Sequence, residues 1–141
     1  MNDTITKTVF FKASRDTVWA FLTEKDKLAE WFHPAEADLA DGEDYALLGK
    51  SPEGPAVKQC WGTVEHWEPP SKLIYSFTIK PLNGVMTEVT WTLNEVHGGT
   101  RLTLNHAGLA AAGDPALGLL MALDAGWDEH LGRLRKMVST S

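Results

Sequence analysis

The chain has 141 residues, of which 43% are hydrophobic and 23% charged, the balance of a globular protein rather than a disordered or fibrous one. Its net charge of −6 repels phosphate backbones and anionic lipid, which argues against nucleic-acid and membrane partners. A single cysteine, Cys60, cannot form an internal disulfide, and no signal peptide or membrane-length apolar run is visible. We therefore expect one domain, residues 1–141, in the cytoplasm.

The first third of the chain predicts a strand followed by two short helices. Apolar and polar residues alternate over residues 4–13, which indicates a half-buried strand. Ser14 is a suitable N-cap for the first helix, and Pro34 ends the second. The apolar residues of the two helices recur at helical spacing: Val18, Phe21, Leu22, Leu28, Trp31 and Phe32.

The middle of the chain predicts an antiparallel meander. Strands are expected over residues 45–48, 57–67, 73–79, 86–96 and 100–106. The last four are joined by short connections, which require antiparallel neighbours. Two of these connections contain Asn83-Gly84 and His97-Gly98-Gly99, residues that tolerate the positive φ of hairpin turns.

The last part of the chain predicts one amphipathic helix of about 24 residues. Asp114-Pro115 is a suitable start, because proline fits the first helical position. The apolar residues recur at spacings of three and four: Leu117, Leu120, Leu123, Trp127, Leu131, Leu134 and Val138. The element order predicts an α+β fold in which this helix closes the apolar face of the sheet.

The alternation along the meander brings three polar groups, those of Tyr75, Trp91 and His106, to the apolar face beside Phe77 and Leu104. A ligand pocket has this composition: apolar walls with a few converging hydrogen-bonding groups. Core residues whose polar tips reach the backbone or water have it as well, so both interpretations stay open.

Asp124 is a second candidate, because it lies within about 60° of the helix stripe through Leu120 and Trp127. The carboxylate is therefore expected to face the sheet, where desolvation would raise its pKa and make it a general acid or base. The alternative is a position at the rim, paired with His130, Arg133 or a strand residue.

The spacing of residues does not indicate a metal site, a phosphate-binding loop or a catalytic nucleophile. The five histidines show neither His-x-His nor His-x-x-x-His spacing. Gly49-Lys50-Ser51 matches only the end of a phosphate-binding loop, and Cys60 has no recognisable base partner. We expect no metal and no other cofactor.

The six tryptophans fall into two groups. Trp31, Trp91 and Trp127 lie on apolar stripes and are predicted to pack inside. The other three have an ambiguous orientation and, if partly exposed, would mark a dimer interface: Trp19, Trp61 and Trp67. The alternative is a first helix buried on two sides, so monomer and homodimer both remain open.

Several segments, in order along nearly the whole chain, carry a resemblance to a known family: VFFKA at 9–13, TVWAFLT at 17–23, LAEWF at 28–32, GTVE at 62–65, PPSKLIY at 69–75, GTRLTL at 99–104 and GWDEHL at 126–131. They resemble the family named after the activator of the 90-kDa heat-shock-protein ATPase, in the START-like (SRPBCC, birch-allergen-like) superfamily. The resemblance implies a helix-grip fold, in which a curved antiparallel sheet wraps around a long C-terminal helix and leaves a cavity between them.

The leading hypothesis is non-enzymatic binding of a small hydrophobic or aromatic molecule in that cavity. One alternative is a co-chaperone-like or stress-response module with a chaperone partner, whose cavity would be filled by its own side chains. Another is an enzyme of the cyclase or hydrolase kind, with His106 or Asp124 as acid/base. The predicted ligand-binding residues are Phe32, Tyr75, Phe77, Trp91, Leu104, His106, Leu120, Asp124 and Trp127.

Overall fold

The computed structural model describes residues 3–51 and 54–139. Over those residues the chain forms six strands, three α-helices and two short 3-10 helices. In chain order they are β1 (Ile5–Phe11), α1 (Arg15–Thr23), α2 (Lys25–Trp31), β2 (Asp44–Ser51), β3 (Gly54–Glu68), β4 (Lys72–Ile79), a 3-10 turn (Lys80–Leu82), β5 (Thr87–Val96), β6 (Gly99–Ala107), a second 3-10 turn (Leu109–Ala112) and α3 (Ala116–Ser139).

The strands form one antiparallel sheet in the order β1-β6-β5-β4-β3-β2, with β1 and β2 at its edges. The predicted meander and the α+β helix-grip fold are therefore confirmed. The register places Trp91 of β5 between Leu73 of β4 and Leu104 of β6. All three side chains are buried, as the alternation predicted, so this face of the sheet carries the core.

Turn chemistry sets the pairing of β5 with β6. His97 and Gly98 have φ values of 48° and 82°, and Val96 pairs with Gly99 across them. Two consecutive positive φ values are typical of the tight hairpin turn whose twist matches that of the strands. The register follows from it and places Val89 opposite His106.

The two short helices cover one end of the sheet. Ser14 caps α1, since its Oγ accepts a hydrogen bond from the Thr17 backbone N–H at 3.2 Å. Trp19 of α1 is buried with its ring edge against Trp67, at a centroid distance of 5.2 Å. Trp19 is therefore not an exposed interface residue. Its burial agrees with the alternative interpretation, in which the first helix is buried on two sides.

Helix α3 begins at Ala116, one residue later than predicted, and is anchored mainly by its C-terminal half. Its buried residues are Trp127, Leu131, Leu134 and Val138. The prediction that Leu117 belongs to the packed stripe is wrong, because its side chain is 68% exposed and Met121 is 66% exposed. The first turns of α3 extend past the region where the helix packs closely on α2 and β1.

Candidate functional site

A chain of three hydrogen bonds crosses the buried interior at His106, which is 0% exposed. Trp127 on α3 donates its indole N–H to Nδ1 of His106 at 3.0 Å. Nε2 of His106 lies 2.7 Å from Oγ1 of Thr87, which in turn donates to the Phe77 carbonyl oxygen at 2.6 Å. We call this arrangement the His106 network; it connects α3 to three neighbouring strands of the sheet.

The network fixes the protonation state of His106. Because Nδ1 accepts the indole N–H, the ring proton belongs on Nε2, which donates to Thr87. Burial lowers the pKa of His106 to about 4, and the charge of Asp3 opposes that fall only in part. The imidazole is neutral at pH 7 and has a partner for each nitrogen.

Tyr75 and Trp91 are paired in the same way. The indole N–H of Trp91 donates to the Tyr75 hydroxyl at 2.9 Å, and burial raises the pKa of that hydroxyl. Trp91 also meets Trp31 and Trp127 edge to face, at centroid distances of 6.1 and 5.6 Å. The protein therefore fills this part of its interior with its own side chains.

Asp124 does not face the sheet interior, contrary to the expectation. Its side chain is 56% exposed, and its carboxylate lies 2.7 Å from the Lys7 ammonium. Asp128, one turn further along α3, lies 2.9 Å from the same ammonium. The reason is that Lys7 of β1 points toward α3 and holds both carboxylates at the outer rim. This is the alternative stated for Asp124, a rim position paired with a strand residue.

A separate cleft of about 110 Å³ lies between α3 and the adjoining ends of β3 and β4. Three predicted ligand-binding residues, Phe32, Phe77 and Trp127, line it, whereas Tyr75, Trp91, Leu104, His106, Leu120 and Asp124 do not. The remaining lining residues are His33, Gln59, Cys60, Ile79, Leu123, Gly126 and His130.

The end of α2 supplies the aromatic wall of the cleft. Helix α2 ends at Trp31, and the non-helical backbone of Phe32 turns its ring toward α3. The centroid of that ring lies 5.3 Å from Trp127 and 4.7 Å from His130. On the opposite side, a Cβ built on Gly126 would meet no atom within 4 Å. Gly126 is also one of the residues that line the cleft, so this turn of α3 leaves room beside it.

Two imidazoles stand beside Arg133 at the cleft. Nδ1 of His130 lies 2.7 Å from a guanidinium nitrogen of Arg133 and accepts its N–H. Burial, then the charge of Arg133 and then His33, lower the pKa of His130 to about 4. Burial and the same guanidinium also lower the pKa of His33. Both rings are therefore neutral at pH 7 and serve as hydrogen-bonding groups.

The family model described as "Activator of Hsp90 ATPase homolog 1-like protein" matches residues 12–139. The chain belongs to that family. The resemblance to this family seen in the sequence is thereby confirmed. A comparison with curated proteins gives no match.

Three solved structures share the fold of this chain. CalU16 from Micromonospora echinospora is 26% identical, with a TM-score of 0.76, over 96% of this chain and 76% of its own. A Rhodobacter sphaeroides protein is 27% identical, with a TM-score of 0.74, and the match covers 97% of this chain and 93% of that protein. DynU16, from the dynemicin biosynthetic locus, is 25% identical with a TM-score of 0.77. The match covers 99% of this chain but 48% of DynU16, so this chain spans less than half of that protein.

The side chains of this family member give the cleft little means for covalent or metal chemistry. Cys60 is buried in the cleft wall, and burial raises the pKa of its thiol to about 12, so the thiolate is scarce at pH 7. Within residues 3–51 and 54–139, no group of three or more His, Cys, Asp or Glu side chains is placed to hold a metal ion. No helix in the described part of the chain is long and apolar enough to cross a membrane.

Sequence reasoning missed most of the cleft because residues far apart in the chain form it. His33 follows α2, Gln59 lies on β3, and His130 lies on α3. None of them shares a strand alternation or a helix stripe with the others. The one local signal was Gly126, which interrupts the apolar stripe of a long helix where alanine would be favoured.

Proposed function

We propose that this protein binds a small aromatic or otherwise apolar molecule in the cleft between α3 and the ends of β3 and β4. The observation that carries the proposal is the unfilled cleft that Gly126 and the rings of Phe32, Phe77 and Trp127 line together. Aromatic and aliphatic walls with a few polar groups are typical of small-molecule sites. Gln59, His33 and His130 supply the polar groups here.

The volume of the cleft limits what enters it. An engineered cavity of about 150 Å³ holds benzene, and pockets for drug-sized ligands measure about 300–1,000 Å³. A cleft of about 110 Å³ therefore accommodates roughly one ring. A larger ligand would insert one ring and leave the rest outside, near the exposed Gln59.

Family membership and the neighbouring structures support this proposal. The SRPBCC-type fold commonly binds hydrophobic ligands. DynU16, a neighbour of the same fold, is described as a protein in the dynemicin biosynthetic locus, a setting in which a ligand-binding protein has a use. The site proposed here lies at the edge of the helix-grip interior, since the centre is occupied by Trp91 and the His106 network.

Two glycine variants on the same helix test the proposal. Gly126→Leu should fill the cleft and abolish binding of one-ring probes such as benzamide, measured by saturation-transfer NMR. Gly118→Leu is the matched control, because a Cβ there also meets nothing within 4 Å and Gly118 does not line the cleft. Equal binding by the wild type and both variants would overturn the proposal.

A second candidate is an interaction module that acts through the surface of α3. It is favoured by Leu117 and Met121, two large apolar side chains exposed one turn apart on the same helix. In that case, Leu117→Glu with Met121→Glu should abolish stimulation of a 90-kDa heat-shock-protein ATPase by this chain. Unchanged stimulation, or none by the wild type, would exclude this surface as the site of such activity.

A further inference from the structure

The cleft differs in charge from the rest of the protein. The chain as a whole carries a net charge of −6. Among the described residues that line the cleft, however, none is Asp or Glu, and the charged group bonded directly to its wall is Arg133, through His130. Arg133 does not itself line the cleft, but its positive charge lies directly behind the His130 wall, which in an acidic protein favours a negatively charged ligand group there.

The guanidinium of Arg133 is held in place and still has hydrogen-bonding capacity. Its Nε donates to the Trp31 carbonyl oxygen at 3.3 Å, and its two terminal nitrogens contact His130 at 2.7 Å and Glu129 at 3.4 Å. These contacts use three of the five N–H groups of an arginine. Two remain for a ligand, and the backbone contact restricts where they point.

Glu129 neutralises Arg133 only weakly. The two charged atoms are 3.4 Å apart, and the Glu129 side chain is 73% exposed. Water and salt screen an ion pair of that kind, so it contributes little at the surface. At His130 the charge of Glu129 opposes that of Arg133 only in part, since the pKa of His130 is still lowered.

The charge of Arg133 acts on both histidines of the cleft. The charge of Arg133 is a cause, after burial, of the lowered pKa of both His33 and His130. An environment that opposes protonation of two imidazoles also opposes a cationic ligand. The neutral rings retain polar nitrogens and contribute apolar ring surface beside Phe32, which suits the aromatic part of a ligand.

We propose that the cleft selects aromatic carboxylates: the ring enters between Phe32, Phe77 and Trp127, and the carboxylate binds Arg133 at the rim. The inference rests on the function proposed above and adds the charge and the chemical class of the ligand. A planar guanidinium matches the geometry of a carboxylate, which makes this anion a better fit than a spherical one.

Three probes of nearly the same shape test the charge preference. Benzoate, benzamide and benzamidine share one ring and a planar head group, but carry a negative charge, no charge and a positive charge. Benzoate should bind about tenfold more tightly than benzamide, as expected for a charge-assisted hydrogen bond at a partly exposed site, and benzamidine should bind most weakly. Saturation-transfer NMR titrations at pH 7 give all three dissociation constants.

Substitutions at Arg133 connect the preference to that residue. Arg133→Gln should remove most of the benzoate advantage and leave benzamide binding nearly unchanged, whereas Arg133→Lys should keep part of it. Arg135→Gln makes the same change in net charge on the same helix, away from the cleft, and should keep the full advantage.

The outcomes separate the two proposals. If benzamide binds and Gly126→Leu blocks it, but benzoate binds no better, the cleft is a ligand site and the carboxylate preference is wrong. A preference that survives Arg133→Gln, or that Arg135→Gln removes equally, also overturns the assignment to Arg133. Binding of neither probe overturns both proposals.

Discussion

The His106 network and the cleft are built from the same residue types but differ in how their polar groups are satisfied. Both combine a histidine with Trp127 and a phenylalanine, and both lower the pKa of the histidine to about 4. In the network, each nitrogen of His106 is bonded to a protein group. In the cleft, the ring of His130 borders unfilled space and is bonded to an arginine whose side chain is 44% exposed.

This difference shows what distinguishes a polar core from a binding site. Buried polar groups that bind one another have little hydrogen-bonding capacity left for a ligand. Trp91 and Tyr75 bind each other, and His106 binds Trp127 and Thr87, so these groups act as structural links. The cleft instead combines unfilled volume with a partly exposed cation.

The largest expected effect comes from truncating the interior. Trp91→Ala should reduce the free energy of unfolding by about 3–5 kcal/mol, because it empties a fully buried position and leaves the Tyr75 hydroxyl without its donor. Phe32→Ala, at the partly exposed cleft, should cost less than half as much. Urea unfolding of both variants measures the two losses in free energy of unfolding. Equal losses would contradict the statement that the interior is tightly filled and the cleft is not.

Acid should destabilise the protein through His106. Its pKa is about 4 when folded against an ordinary value of 6.5, so the unfolded state binds more protons between these values. Stability should therefore fall as the pH drops from 6.5 to 4, by about 3 kcal/mol from this group alone. NMR titration of the His106 ring together with urea unfolding at several pH values provides the check. An ordinary pKa for His106 would refute the network.

Removing the central hydroxyl of the network should have a smaller effect. Thr87→Val keeps the shape of the side chain but leaves His106 Nε2–H and the Phe77 carbonyl unpaired, which should cost about 2 kcal/mol. Thr90→Val, on the other face of the same strand, is the matched control and should be nearly neutral. Thermal unfolding compares the two, and similar melting temperatures would argue against the hydrogen bonds described.

The smallest effect is expected at the rim. Lys7→Met removes the ion pairs with Asp124 and Asp128, whose side chains are 56% and 63% exposed, so the loss should be about 1 kcal/mol or less. The loss should shrink further in 1 M salt, where the screening length is only about 3 Å. Unfolding at low and high salt measures this; a large salt-independent loss would indicate a packing role for Lys7.

The fold could be predicted from the sequence because its signals are local. The alternation of β5, the His97-Gly98 turn and the stripe of α3 each act over a few residues. Each agrees with the structure apart from short shifts at element ends and the exposed Leu117 at the start of α3. The resemblance to a family predicted how the sheet packs around the C-terminal helix. Neither the local signals nor the resemblance indicates whether a polar group that points inward has a hydrogen-bond partner inside the protein.

The candidate site was harder to predict because it depends on contacts between residues that are far apart in the chain. Asp124 lies close to the apolar stripe in sequence, but Lys7, more than a hundred positions earlier, draws it to the rim. Phe32 and Trp127 were predicted, because both follow apolar patterns. Arg133 was not assigned to a ligand, since its position depends on where the end of α2 meets α3.

The most direct test of the account is a methyl NMR titration of the protein, labelled at Ile and Leu side chains, with benzamide. Ile79 and Leu123 line the cleft, whereas Leu102 and Leu104 are buried in the sheet interior near Trp91. If ligands bind in the cleft, Ile79 and Leu123 should show saturable shifts and the two interior leucines should show none. Shifts at Leu102 and Leu104 without any at Ile79 would show that ligands enter the centre, and would contradict binding in the cleft.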